Sequence, residues 1–253
     1  MRQGMKKRIA MGLVVGALLA QAAAAEITVL SAGAIQPGLA AAAAAFEKQT
    51  GHAVKITYAT APQIAARVGG GETFDVVIAP PAVLDELANA GKLGDRLSVG
   101  RVGVGVAVRA GAPVPDISSA EALKRSLLAA ESLVFNRAST GMYVETLLKN
   151  MGIYEQVEGK TTRYADGTAV HEHVLKGQGR EMEFGAIPDI LLHRDEGLRL
   201  VGPLPAEVQN YTTYAGGVSA AASDAEAVKA LIRAIATPAI DEVLKGRGME
   251  RAS

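Results

Sequence analysis

From Glu26 onward, short apolar runs alternate with stretches whose apolar positions recur at helical spacing. That rhythm is the signature of an α/β protein in which strands and helices take turns. ITVL at 27–30 reads as a first strand, and the alanine-rich segment 36–50 as a helix that Gly51 closes. The same pattern predicts strands at 54–58 and 76–79 and helices at 62–68 and 82–90, the last ended by Gly91. VGVGVAVR at 102–109 is a strand thinned by glycines, and after the loop GAPVPDISS the rhythm restarts. It predicts helices at 120–128, 141–151 and 168–176 and strands at 133–135, 161–164 and 184–187. PLPAEVQNYTTYAGGVSAAAS then reads as a strand pair crossing back, and helices at 224–236 and 239–245 close the chain.

Two α/β sets joined by two extended crossings, with the closing helices returning to the first set, predict two lobes around a cleft. Residues 26–105 with 214–253 form the first lobe and 106–213 the second, a geometry suited to hinge closure on a ligand.

The stretch before Glu26 has a different logic. Arg2, Lys6, Lys7 and Arg8 precede an apolar run at 9–20 and an A-x-A site, which reads as a signal peptide, 1–25, cleaved after Ala25. The run is about a dozen residues against the roughly 20 of a membrane span, so no span is expected after cleavage. The chain has no Cys. A disulfide framework and a lipoprotein anchor are thereby excluded, and the periplasm of a two-membrane bacterium is the expected location. Without its leader the chain carries 22 Lys and Arg against 26 Asp and Glu, a net charge of about −4. With six Tyr, four Phe and no basic run, nucleic acid is not an expected partner. A monomer is expected, with no cofactor.

In open α/β sheets ligands lie beyond the carboxyl ends of strands, where helix N-termini present N–H groups and a positive dipole. Four turns have that character: Ser31-Ala32-Gly33-Ala34, Thr60-Ala61-Pro62, Arg137 to Gly141, and Asp166-Gly167-Thr168. Ser139, Thr140 and Thr168 suit N-caps as well as ligand contacts. A set of four turns, two per lobe, points to a shared site for a small anion. Arg137 follows the strand 133–135 and could fork a carboxylate; Arg163 has a similar claim.

His171 and His173 are two apart, which places them on different helix faces, and no metal site is expected from them. Solvent exposure is their expected state. Glu183 and Asp189 bracket the strand 184–187; surface solvation is the first expectation for both, with a role as base for either if it reaches the cleft. Gly69 to Gly71 lack the Lys-Ser/Thr of a phosphate loop and follow a helix. No nucleophile elbow, Ser-His-Asp order or H-E-x-x-H helix is present in the sequence.

The stretches ITVLSAGAI, FEKQTG, YATAPQIAARVGGGETFDVVIA, STGMYVETLLKNMGI and FGAIPD resemble the molybdate-type periplasmic substrate-binding proteins, a class II family serving ABC transporters. The resemblance implies a type II periplasmic-binding-protein-like fold, each lobe a mixed, mainly parallel sheet flanked by helices. It implies capture of a small oxyanion or carboxylate for a membrane ABC permease. The family's anion site is two serines in the first lobe, backbone amides in the second and a tyrosine after the late strand. The matching positions here are Ala34, Ala61 and Pro188, each without a hydroxyl. Thr60 and Ser31 stand one and three residues from the serine positions, and Thr140 adds a donor in the second lobe. Unmade contacts to a buried oxyanion cost about 1 to 3 kcal/mol each. A larger or flatter organic anion, paired with Arg137 and helix N-termini, therefore suits the site better than molybdate or tungstate.

LSAGAI, AVRAGAPVPDISS and ASTGMY are similar to a branch of the superfamily that acts as aconitate isomerase. That resemblance implies an alternative, a cofactor-independent isomerase of an unsaturated tricarboxylate, with His171, Glu183 or Tyr143 as candidate bases.

Overall fold

A computed structural model describes residues 24–251 of the chain except Gly179. The expected signal peptide lies outside the described residues but for its last two positions. In chain order the elements are β1 (Glu26–Ala32), α1 (Gln36–Thr50), β2 (Ala53–Ala59), α2 (Ala61–Gly69), β3 (Val76–Ala79), α3 (Pro81–Asn89) and β4 (Leu93–Arg109). There follow α4 (Ala120–Ala129), β5 (Ser132–Asn136), α5 (Ser139–Asn150), α6 (Tyr154–Val157), β6 (Thr161–Tyr164), α7 (Gly167–Lys176), β7 (Glu181–Ala186) and α8 (Ile187–Leu192). The chain closes with β8 (Leu198–Pro203), β9 (Tyr211–Ser219), α9 (Ala225–Ile235), α10 (Asp241–Lys245) and β10 (Met249–Glu250).

The strands run in the order β2-β1-β3-β9-β4-β7-β5-β6, with β8 and β10 also pairing with β4. β2-β1-β3 and β6-β5-β7 are parallel, as strand-helix alternation dictates, and the strands that meet β4 are antiparallel to it. The long strand β4 belongs to both halves. Up to Gly103 it pairs with β9, and from Val104 with β7. Each half has its own core: Val29, Leu30, Ile78 and Leu231 stand in the first, and Val106, Leu123, Phe135 and Phe184 in the second. Phe135 and Phe184 meet edge to face at 6.4 Å, a favourable aromatic geometry.

The C-terminal helices return to the first half through a buried carboxylate. Asp75, just before β3, accepts from the backbone and hydroxyl of Thr28 on β1 and of Ser223 ahead of α9. At the end of α1, Gly51 takes a left-handed φ of 78°, the conformation glycine alone adopts without strain.

The helix α6 and the short strand β10 were not among the predicted elements, and β4 and β7 differ from theirs. β4 begins at Leu93, nine residues before the predicted strand, because its first part is half exposed and carries Asp95, Arg96 and Arg101 among its apolar positions. β7 begins at Glu181 and ends at Ala186, so Ile187 opens a helix that the apolar pattern did not predict. Pro188 sits in its first turn, where a missing N–H costs nothing. Among the described residues no helix is long and apolar enough to cross a membrane.

Candidate functional site

The junctions after β1, β2, β5 and β6 open on one cleft of about 220 Å³ between the two halves of the sheet. From the first half come the Gly33–Ile35 turn that leads into α1, and the start of α2 with Thr60 as N-cap. From the second come the first residues of α5 and of α7. Four helix N-termini thus face a common space. Backbone N–H groups in a first helical turn have no intrahelical acceptor, and the dipoles add positive potential. Among the described residues no Lys or Arg lines the cleft. Its attraction for an anion therefore rests on N–H groups and hydroxyls.

The local sequence explains why hydroxyls are left for the cleft. Ser139, Thr140 and Thr168 are not the caps their types suggest. At α5 the Asn136 carbonyl Oδ1 accepts from the N–H of Ala138 at 3.0 Å and of Gly141 at 3.1 Å. At α7 the N-cap is Asp166, whose Oδ1 accepts from Ala169 at 3.0 Å. Ser139, Thr140 and Thr168 sit inside the first turns and line the cleft. At α2 the Gln63 side chain accepts from the N–H of Thr60 at 2.8 Å, which fixes that turn reciprocally.

Two tyrosines complete the wall, Tyr58 at the end of β2 and Tyr214 on β9. Burial pushes Tyr58 up to about 12 and Tyr214 higher still, so both face the cleft as neutral phenols.

Asp189 is, with Asp166, one of two carboxyl groups in the cleft lining and the one with buried charged partners behind it. It lines the cleft from α8, and its Oδ2 lies 3.1 Å from Nε2 of His171 on α7. Nδ1 of His171 lies 2.7 Å from Oε1 of Glu183 on β7. His171 is 1% exposed and Glu183 0%. The distances are those of ion pairs without the alignment of hydrogen bonds, and neither the His171 nitrogens nor the Glu183 oxygens have another partner among the described residues. Burial works against charge on His171, but contacts with Asp189 and Glu183 outweigh it and raise the ring to about 10. Burial also raises Glu183, with the facing imidazolium opposing it. A Cβ on Gly167 would collide with Asp189 Oδ2, so glycine at the start of α7 is what lets that carboxylate approach the helix N-terminus.

His193 follows α8 and lies against His171 with ring centroids 4.5 Å apart and planes tilted by 39°. His171, Asp189 and His193 bring potential metal-ligand atoms within 4.8 Å. The carboxylates facing both nitrogens of His171 are the geometry of a paired imidazolium.

Of the residues singled out in the sequence, Gly33, Ala34, Thr60, Ala61, Ser139, Thr140, Gly167 and Thr168 line the cleft. Ser31 does not: it is buried within β1 and its hydroxyl donates to Ala32 at 3.2 Å. Gly141 lies behind the start of α5 against Asn136, and Pro188 lies in α8 beside Asp189 without reaching the cleft. Arg137 is exposed outside it, and Arg163 pairs with Glu145 over the Phe135 ring. The expected guanidinium partner for a carboxylate is thus not in the cleft. Tyr143 donates to the Val208 carbonyl at 2.6 Å, away from it. The expectation of solvated His171 and Glu183 is overturned, since a short buried run of strand and helix brings them face to face. His173, on the other side of α7, bonds Tyr164 at 2.9 Å. Asn136 and Tyr214 escaped the sequence reading, and Asp166 entered it only as part of the Asp166-Gly167-Thr168 turn and not as a cap; the N-x-x-x-x-G pattern at the start of α5 was the available signal for Asn136.

Residues 27–250 match the family described as bacterial extracellular solute-binding protein. A curated relative from Pseudomonas sp, named aconitate isomerase, is 30% identical over 243 residues, covering 92% of this chain and 90% of the relative. The Azotobacter vinelandii periplasmic molybdate-binding protein superposes with a TM-score of 0.76 at 17% identity, covering 90% of this chain and 100% of that one. The sulfate-binding protein SubI from Mycobacterium tuberculosis H37Rv gives 0.72 at 17% identity, covering 90% and 88%. These likenesses establish the fold as that of a type II periplasmic binding protein.

Proposed function

The chain belongs to the bacterial extracellular solute-binding protein family, and we propose that it captures a small organic polycarboxylate and delivers it to an ABC-type permease. It is exported to the periplasm, cleaved after Ala25, and works as two lobes, 26–105 with 214–253 and 106–213, that close on the ligand. The observation that carries this reading is the convergence of four helix N-termini on one cleft. Ala34, Ala59, Ala61 and Ala138 line the wall together with its polar residues. A carbon frame bearing several carboxylates matches such a surface better than a bare tetrahedral oxyanion does. Calorimetric titration and thermal unfolding of the mature chain with tricarboxylates, dicarboxylates, sulfate and molybdate test it. A tricarboxylate at 100 times its Kd should stabilise the fold by about 2.7 kcal/mol. Absence of stabilisation by every carboxylate overturns the reading.

Asp189 favours a second reading. A carboxylate facing an anion weakens capture, yet serves a reaction that moves a proton. On this reading the chain is a cofactor-independent isomerase that shifts the C=C bond of an unsaturated tricarboxylate, in keeping with the name of its Pseudomonas relative. Interconversion of cis- and trans-aconitate, and deuterium uptake from heavy water, are the measurements that decide it.

A further inference from the structure

We propose that Asp189 is the catalytic base of an allylic proton transfer in the cleft, and that His171 and Glu183 are positioning residues forming a buried charge chain behind it. The inference rests on the isomerase reading and assigns its residues.

Asp189 is the member of the chain that the cleft can reach, while His171 and Glu183 are closed off from solvent. The three groups come from consecutive layers, α8, α7 and β7, so the fold and not a mobile loop fixes their order. Charges alternate along the chain as carboxylate, imidazolium, carboxylate. His171 also touches His193, whose Nδ1 lies 3.0 Å from Glu196, and the Tyr214 phenol feels the charge of Asp189. The His171 ring on one side and the glycine at the start of α7 on the other hold the Asp189 carboxylate in place. The buried Glu183 in turn keeps the imidazolium charged, and it has no other partner among the described residues to serve.

In the step itself the carboxylate of Asp189 takes the proton from the CH₂ carbon of the bound tricarboxylate. The C–H electron pair becomes delocalised over the three-carbon allylic unit and its carboxylates. The same carboxyl group returns the proton to the far carbon of that unit, the double bond moves by one position, and no oxidant or reductant is consumed. Charge that develops on the substrate carboxylates meets the N–H groups of α2 and α5 and the hydroxyls of Ser139 and Thr140.

The test uses the mature chain and trans-aconitate. Asp189→Asn should bind about fivefold more tightly, because a repelling charge is gone, and should lose at least 100-fold in interconversion and deuterium uptake. A rate within threefold of wild type overturns the assignment of Asp189 and leaves the isomerase reading standing. Wild-type protein that binds trans-aconitate without turnover or exchange overturns both, and capture alone survives. Glu183→Gln tests the chain independently of that variant: losing the carboxylate lowers the His171 pKa, so the basic limb of the kcat profile should move down by a pH unit or more. A slower enzyme with an unmoved limb overturns the positioning role.

Discussion

Nε2 of His171 lies 3.1 Å from Oδ2 of Asp189, so a ring that is 1% exposed touches the cleft only through another residue's carboxylate. Burial opposes the charge on the ring, and the contacts with Asp189 and Glu183 more than offset it, carrying His171 to about 10 from its ordinary 6.5. The folded state therefore keeps a proton that the unfolded chain releases above pH 6.5. Stability from this group is complete below pH 6.5 and is lost as pH rises through 10. Thermal unfolding between pH 6 and pH 10.5 should show Tm falling steadily above neutrality. His171→Gln should lower Tm at pH 6 and remove most of that slope; an equal slope in the variant would sink the account.

Strand-helix alternation was legible because it is a local pattern, and it marks the helix starts that line the cleft. What lay behind those starts was not. Glu183 stands in a strand whose every residue is buried, whereas composition teaches that a glutamate faces water. Its burial depends on His171 arriving from a different helix, a long-range pairing that no spacing along the chain announces. Arg137 failed for the opposite reason: its neighbours in sequence suggest a role, and only the direction of the loop decides where the guanidinium goes. The hydroxyls of Ser139 and Thr168 were found by residue type, but their freedom from capping depends on Asn136 and Asp166 standing just ahead.

The capping carboxylate of Asp166 and the uncapped hydroxyls of Ser139 and Thr168 let helix-start stability be read apart from hydroxyl contacts to the ligand. Asp166→Ala removes the acceptor for the Ala169 N–H and should cost about 1 kcal/mol of folding stability. Ser139→Ala and Thr168→Val, whose side chains cap nothing, should leave unfolding of the free protein within about 0.5 kcal/mol of wild type. Each should weaken carboxylate binding about fivefold, the value of one hydrogen bond. Denaturant melts and calorimetric titrations of the three variants check the pattern, which fails if Ser139→Ala destabilises as much as Asp166→Ala.

Arg137 supplies a negative control with a definite sign. Its side chain is exposed and outside the cleft, while its backbone N–H donates to Tyr164 at 2.8 Å. Arg137→Ala keeps that backbone bond. Carboxylate affinity should stay within about twofold at physiological salt, because the exposed guanidinium is solvated and screened and makes no contact in the cleft lining. A tenfold loss would mean that the guanidinium swings into the cleft when the lobes close.

Gly141 is required by close approach and not by an unusual φ. A Cβ there would collide with the Asn136 carbonyl and come within 2.9 Å of its Oδ1, the atom that accepts from both Ala138 and Gly141. Gly141→Ala must push the start of α5 away from β5, weakening both of those bonds. Overpacking and two compromised hydrogen bonds together should cost about 3 kcal/mol. Ser139 and Thr140 move with the helix start, so carboxylate affinity should fall on the order of tenfold even where the protein remains folded. Gly159→Ala, at a site with open space around it, should change neither quantity. Equal effects from the two substitutions would show that helix propensity, and not contact with Asn136, governs the start of α5.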